Sequence, residues 1–190
     1  MYPSSLPQHI HTLDLTDNFL TSVNVTELEI YPNLKRLVLR KNKISSFSGA
    51  PNDMLQYLDL SYNRISSLSR NVDLSLFENI RVLDISNNMI TTIPKAGFPN
   101  GRRLEVLNLS SNQIDILESN CFDDLTNLEE LRLNKNKLSS FPKTLFKKMS
   151  KLRVLEMNKN KIVGIPGTPN ICSFLLRVLL DLPCTIPRHM

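Results

Sequence analysis

The sequence predicts an α/β solenoid, a horseshoe of stacked coils with a parallel β-sheet on its concave side and irregular or short helical segments on its convex side. The first observation behind this prediction is a pattern, L-x-x-L-x-L-x-x-N-x-L/I, that occurs seven times at steps of 24, 21, 25, 24, 24 and 24 residues. The second is the alternation of apolar and variable residues inside each copy, which predicts a short strand with one buried face. Self-similarity at such a period is typical of repeat solenoids.

The period and the pattern together are the signature of leucine-rich repeats. The seven copies begin at Ile10, Leu34, Leu55, Ile80, Leu104, Leu128 and Leu152. We therefore assign residues 10–162 to seven repeats. Residues 1–9 are interpreted as the remnant of an N-terminal cap, and residues 163–190 as a degenerate last repeat or an atypical C-terminal segment.

One asparagine per copy falls at the point where the chain turns away from the strand. Its side chain offers both an acceptor and donors, so a stack of such amides can satisfy backbone groups that cannot reach water. We predict a structural ladder, not a catalytic one, formed by Asn18, Asn42, Asn63, Asn88, Asn112, Asn136 and Asn160. A second ladder is predicted on the convex side, where Phe98, Phe122 and Phe146 each lie ten residues beyond an asparagine.

The two ends of the chain depart from the repeat. The first residues, MYPSSLPQHI, lack the basic region and the apolar run of a secretory signal, so either the protein is cytosolic or the chain lacks its natural beginning. No apolar run is long enough to cross a membrane. Cys172 and Cys184 are candidates for a disulfide in an oxidising compartment, whereas Cys121 is interpreted as a packed thiol.

No constellation of residues predicts catalysis. The three histidines and five glycines form neither a metal-ligand spacing nor a phosphate-binding loop. We therefore expect no enzyme, no cofactor and no metal. The net charge of +5 is modest and acidic residues are interleaved with basic ones, so we also expect no dedicated nucleic-acid surface.

Two N-x-S/T sequons occur, at Asn24 and Asn108. In a secreted protein both are candidate glycosylation sites. The sequence around Asn108 also satisfies the repeat pattern without any need for a sugar. A glycan there would stand on the concave face and block part of it.

The concave face is the expected binding surface, because solenoids of this kind use it for protein recognition. Arginine and tyrosine are enriched in binding hot spots, and they fall at outward positions of neighbouring strands. The predicted contact residues for a protein partner are Arg36, Arg40, Lys41, Tyr57, Tyr62, Arg132, Lys135 and Lys159. The alternative interpretation is an ordinary solvated polar face.

The segment from Leu128 to Ile162, LEELRLNKNKLSSFPKTLFKKMSKLRVLEMNKNKI, resembles the leucine-rich repeats and immunoglobulin-like domains family. That resemblance implies the ectodomain of a single-pass membrane protein at the cell surface, which associates with a receptor ectodomain and tunes growth-factor receptor tyrosine kinase signalling. Immunoglobulin-like domains and a membrane span would then lie in segments missing from this chain.

Two other classes of function stay open from the sequence. One is an extracellular matrix protein of the small leucine-rich proteoglycan kind. The other is an intracellular leucine-rich-repeat scaffold in the cytoplasm, which the absent signal and the unpaired cysteines favour.

Overall fold

A parallel sheet of seven strands runs through the protein, with one strand from each repeat. The computed structural model describes residues 9–49, 53–68 and 78–163. Within these ranges the strands follow one another in the sheet in chain order. They are β1 (Thr12–Asp14), β3 (Arg36–Val38), β5 (Tyr57–Asp59), β6 (Val82–Asp84), β8 (Val106–Asn108), β10 (Glu130–Arg132) and β11 (Val154–Glu156). The predicted solenoid with a concave parallel sheet is confirmed.

The register of the sheet stacks identical repeat positions on one another. Leu131 of β10 lies opposite Leu107 of β8 on one side and Leu155 of β11 on the other. The central leucine of every strand points inward and is buried, and burial of one such side chain contributes about 1.5–3 kcal/mol. Because no coil can bury this face alone, each leucine column depends on the neighbouring coils.

The asparagines complete the interior as the pattern predicts. The Oδ1 of Asn112 accepts a hydrogen bond from the N–H of Ile90 in the preceding coil at 3.1 Å, and its Nδ2 donates to the carbonyl of Ile85, also in that coil, at 3.0 Å. Every ladder asparagine from Asn42 onward makes the same two links. Asn18 is exposed, and among residues 9–49, 53–68 and 78–163 it donates only to carbonyls of its own coil.

The remaining part of each coil is short and irregular. Two pairs of short strands lie outside the main sheet: β2 (Ser22–Asn24) with β4 (Ser46–Ser48), and β7 (Thr92–Ile93) with β9 (Ile116–Leu117). The described ranges also contain 3-10 helices at Val25–Ile30 and Gly101–Arg103. None of the helices in these ranges has the length and apolar character needed to cross a bilayer.

The predicted convex ladder of phenylalanines is continuous over two of its three members. Phe98 and Phe122 are buried with their ring centroids 5.6 Å apart. Phe146 is only partly buried and packs edge-on against Phe141, also at 5.6 Å. Leu145 and Met149 of the same segment are buried, as are the equivalent residues Cys121 and Leu125 one coil earlier.

Several predictions concern residues outside the described ranges. These are the cap remnant up to Gln8, the C-terminal segment from Gly164 onward, and the candidate disulfide between Cys172 and Cys184.

Candidate functional site

Two arginine–tyrosine pairs occupy the concave side of the second and third coils. Arg36 of β3 and Tyr57 of β5 are register partners in the parallel sheet, so their side chains leave the same face of adjacent strands. The guanidinium carbon of Arg36 lies 3.4 Å from the centroid of the Tyr57 ring. Arg40 lies over Tyr62 at 4.4 Å, and its Nη1 also donates to the Ser61 hydroxyl at 3.3 Å. We call Arg36, Arg40, Tyr57 and Tyr62 the concave patch.

Stacking of this kind orders side chains that are otherwise flexible. A cation over an aromatic ring at an exposed site contributes about 0.5–1 kcal/mol. The larger consequence for binding is that the arginines lose less side-chain freedom when a partner docks, because part of that freedom is already lost. Tyr62 nevertheless keeps 44% of its surface exposed, so an aromatic face remains available.

The residue before each ladder asparagine adopts a left-handed backbone conformation. Its φ lies between 54° and 59° in all seven coils, at Asp17, Lys41, Tyr62, Asn87, Ser111, Lys135 and Lys159. If the strand continued, Lys41 would point inward and Asn42 would point outward. The left-handed conformation of Lys41 reverses this order, so that Lys41 is exposed and Asn42 is buried. Four predicted contact residues, Lys41, Tyr62, Lys135 and Lys159, therefore lie beyond the strand ends at the edge of the sheet.

The acidic residues in the middle of the concave face have a structural role. Asp59 and Asp84 each accept a hydrogen bond at 2.9 Å from the backbone N–H two residues ahead, and Asn108 does the same at 3.1 Å. At the end of β1, Asp14 Oδ1 accepts hydrogen bonds from both the hydroxyl and the N–H of Thr16, and these bonds lower the pKa of that carboxyl. The sequence pattern alone identified these side chains only as outward-facing.

The predicted contact residue Arg132 is held by carboxylates on both sides. It forms ion pairs with Glu130 of its own strand and with Glu156 of the next strand, the latter at 3.7 Å. Its positive charge is thereby compensated within the sheet. The strands β10 and β11 themselves consequently offer a partner less unpaired charge than the concave patch does.

The two sequons differ in their surroundings. Asn24 is exposed in β2, where its Oδ1 accepts a hydrogen bond from the N–H of Thr26 at 3.2 Å. The Nδ2 of Asn108, the atom to which a sugar would be attached, donates to Asp84 Oδ2 at 2.9 Å. The hydroxyl-bearing residue of the second sequon, Ser110, is buried. The geometry favours Asn24 as the acceptor.

Reactive and metal-binding chemistry receives no support in the described ranges. The thiol of Cys121 is 1% exposed, and burial raises its pKa to about 12, so it is protonated at physiological pH. Those same ranges contain no group of three or more His, Cys, Asp or Glu side chains arranged to hold a metal ion.

Sequence comparison finds the same repeats across most of the chain. Residues 8–65, 78–138 and 126–168 match the family described as "Leucine rich repeat". Human "Leucine-rich repeats and immunoglobulin-like domains protein 1" is 34% identical over 101 residues, which are 52% of this chain and 9% of that protein. Chicken lumican is 36% identical over 104 residues, covering 53% of this chain and 29% of lumican.

A solved structure gives the corresponding result for the fold. The crystal structure of the TLR13–ssRNA13 complex superimposes with a TM-score of 0.62 and 32% sequence identity, over 80% of this chain and 25% of that chain. The chain thus spans less than a third of each of these three proteins. Repeats of this kind build protein-interaction modules with an extended concave surface. The profile matches cover more than half of the residues, and the chain belongs to the leucine-rich-repeat family.

Proposed function

We propose that this protein is a non-enzymatic protein-recognition module, and that it holds its partner on the concave patch. The stacked pairs Arg36–Tyr57 and Arg40–Tyr62 carry the proposal, because they place the two residue types most enriched in hot spots on adjacent coils in a preordered arrangement. The rigid sheet beneath them keeps the patch in one geometry. Lys41 extends the patch at its edge with a further exposed cation.

The class of partner we propose is a receptor ectodomain, and the location is the cell surface or extracellular space. Both follow the similarity to the leucine-rich repeats and immunoglobulin-like domains proteins. On this proposal the module tunes growth-factor receptor tyrosine kinase signalling, and its membrane attachment lies in parts of a longer protein. A cytoplasmic scaffold is the competing location.

The test is binding of the purified chain to a panel of purified receptor tyrosine kinase ectodomains. The variant R36E/R40E reverses both patch charges, whereas R102E/R103E makes the same charge change on two exposed arginines of the 3-10 helix Gly101–Arg103. We expect at least one receptor to bind the parent chain and the R102E/R103E variant. Its Kd should rise by about tenfold or more for R36E/R40E, with an unchanged circular-dichroism melt.

Two results would overturn the proposal. Equal loss in both variants would mean that affinity follows net charge and not the patch. Binding to none of the receptors would remove the signalling role. A single-stranded RNA included as a competitor tests the other ligand class, since one structural neighbour is an RNA complex; displacement of the receptor by RNA would point to a nucleic-acid surface.

A structural role in extracellular matrix is the second candidate, and the lumican match favours it. It predicts binding to reconstituted collagen fibrils in a co-sedimentation assay. Sedimentation of the chain with fibrils, together with failure to bind any receptor ectodomain, would replace the receptor proposal by this one.

A further inference from the structure

The edge of the sheet beyond the strand ends carries two rows of side chains, most of them exposed, which we call the rim. The inner row is the left-handed residue before each ladder asparagine, and the outer row is the residue after it. Backbone hydrogen bonds hold both rows in register: the N–H of Lys41 donates to Ser61 O at 3.0 Å, and the N–H of Lys43 donates to Leu20 O at 2.8 Å. Equivalent bonds continue along the coils, so adjacent rim positions are spaced like strands, about 4.8 Å apart.

Positive charge is concentrated on the rim. Seven cations lie there, against the single carboxylate of Asp17, although the whole chain has a net charge of only +5. They form one cluster on the second and third coils and a denser one on the sixth and seventh. The cations are Lys41, Lys43, Arg64, Lys135, Lys137, Lys159 and Lys161.

These charges are available to a ligand. All seven residues are exposed, and none of them forms an ion pair with any residue in the described ranges. The side-chain partners they do have are neutral: Lys43 Nζ lies 4.8 Å from the Phe19 ring, and Lys137 Nζ donates to Gln113 Oε1 at 3.1 Å. The stacked coils therefore hold these positive side chains close together with no carboxylate paired to them in the described ranges. A bound polyanion would reduce the repulsion between them.

We propose that the rim binds a sulfated polysaccharide laid along the coils. The four-lysine cluster of the sixth and seventh coils is the main contact, and Lys41, Lys43 and Arg64 are the second. Five coil steps separate the second coil from the seventh, which is roughly 24 Å at strand spacing. A ligand that reaches both clusters must be an extended chain with many charges, and not a single phosphate or carboxylate.

The side-chain types on the rim favour a sulfated glycan over a nucleic acid. Single-stranded nucleic acids are bound by basic grooves that also carry aromatic side chains on which bases stack. The rim positions of the four-lysine cluster contain no aromatic residue, and the aromatic rim residues Phe19 and Tyr62 lie on the first and third coils, away from that cluster. Recognition here depends on charge alone, and sulfate groups supply that charge along the whole polymer. The main cluster on the sixth and seventh coils is separate from the concave patch, whereas Lys41 and Tyr62 belong to both surfaces. The inference goes beyond the proposed protein recognition.

The test compares two variants that each lose four lysines. K135Q/K137Q/K159Q/K161Q removes the denser cluster, whereas K95Q/K143Q/K147Q/K151Q removes four exposed lysines that lie away from the rim. The probe is a size-defined heparin oligosaccharide, titrated by fluorescence anisotropy at about 0.15 M NaCl and at several other salt concentrations. We expect the Kd to rise at least about tenfold for the rim variant and less than about twofold for the control. The rim variant should also show a shallower dependence of log K on log salt, because fewer counterions are displaced.

Circular-dichroism melts test whether both variants fold. If the fourfold rim variant does not fold, the pairs K135Q/K137Q and K159Q/K161Q replace it, each with an expected loss of about threefold or more. Equal losses in the rim and control variants would overturn the proposal, as would unchanged binding by the rim variant. The proposal would also be overturned if poly(U) displaced heparin at a phosphate concentration below the sulfate concentration of the heparin. That result would assign the rim to nucleic acid instead.

Discussion

Replacement of Asn112 by alanine tests the physical basis of the ladder most directly. Asn112 is 7% exposed and lies in the middle of the stack. Its loss leaves the buried N–H of Ile90 without its acceptor. The carbonyls of Ile85 and Leu109 each retain another asparagine donor, Asn88 and Asn136 respectively. The carbonyl of Ser110, which receives only a long bond of 3.4 Å from Asn112, keeps the N–H of Asn87 as a donor. The substitution therefore orphans one donor completely and removes one donor from each of three acceptors that keep another.

The expected cost follows from that inventory. A buried donor without a partner costs about 1–3 kcal/mol, and each hydrogen bond lost from a carbonyl that keeps another donor adds about 0.5–1 kcal/mol. Counting the two shorter acceptor bonds, we therefore expect N112A to lower the free energy of unfolding by roughly 2–5 kcal/mol. The matched control is N18A, because Asn18 is exposed and links no preceding coil in the described ranges. Its expected cost is below about 1 kcal/mol.

Urea unfolding followed by far-UV circular dichroism measures both variants. With a slope of about 1–3 kcal/mol per molar urea, the midpoint of N112A should fall by at least about 0.7 M while the slope stays unchanged. A change in slope would mean that the coils unfold separately, which a solenoid with nearest-neighbour stability permits. Equal destabilisation by N112A and N18A would refute the argument that the amide acts by linking coils.

Three further outcomes follow from single sites. The Cys121 thiol, whose pKa is raised to about 12 by burial, should resist a thiol reagent at pH 8 in the native protein and react after unfolding; rapid native labelling would contradict its burial. The lowered pKa of Asp14 means that its contribution to stability is present above the unfolded pKa near 3.8 and lost as the pH falls through the folded value. T16V should raise that folded pKa in an NMR titration, and an unchanged pKa would show that Thr16 is not its cause. On secretion from a eukaryotic cell, N24Q should remove a glycan detected by mass spectrometry, whereas N108Q should remove none. A glycan on Asn108 would show that glycosylation occurs before Asn108 forms its hydrogen bond to Asp84.

The repeat pattern was sufficient to predict most of the architecture. Seven copies of one spacing give the number of coils, the identity of the strands and the inward asparagines, because each of these depends only on residues close in sequence. The pattern also placed Arg36 opposite Tyr57, since parallel strands in a solenoid pair at equivalent repeat positions. The prediction of a convex phenylalanine ladder was less exact at Phe146, which is only partly buried.

Only the tertiary structure showed that the predicted contact residues have different surroundings. From the sequence, Arg132 and Arg36 are equivalent outward arginines. In the folded protein Arg132 is held between carboxylates of two strands, whereas Arg36 lies over an aromatic ring. The repeat pattern gives which positions are adjacent across coils, but the contact that an outward side chain makes with its neighbours depends on side-chain conformations in the folded sheet.

The sequence by itself determined the solenoid, the inward leucines and the asparagine ladder, because these follow from a local period repeated many times. Only the tertiary structure decided which of the outward charges are compensated by a neighbour and which are not. The left-handed residue before each asparagine reverses the alternation of the strand and turns Lys41, Lys135 and Lys159 outward at the sheet edge. Stacking of the coils then brings these lysines beside those of the outer row. Interleaved charges along the chain thereby become a basic rim in space, because residues one coil apart in sequence are neighbours in the sheet.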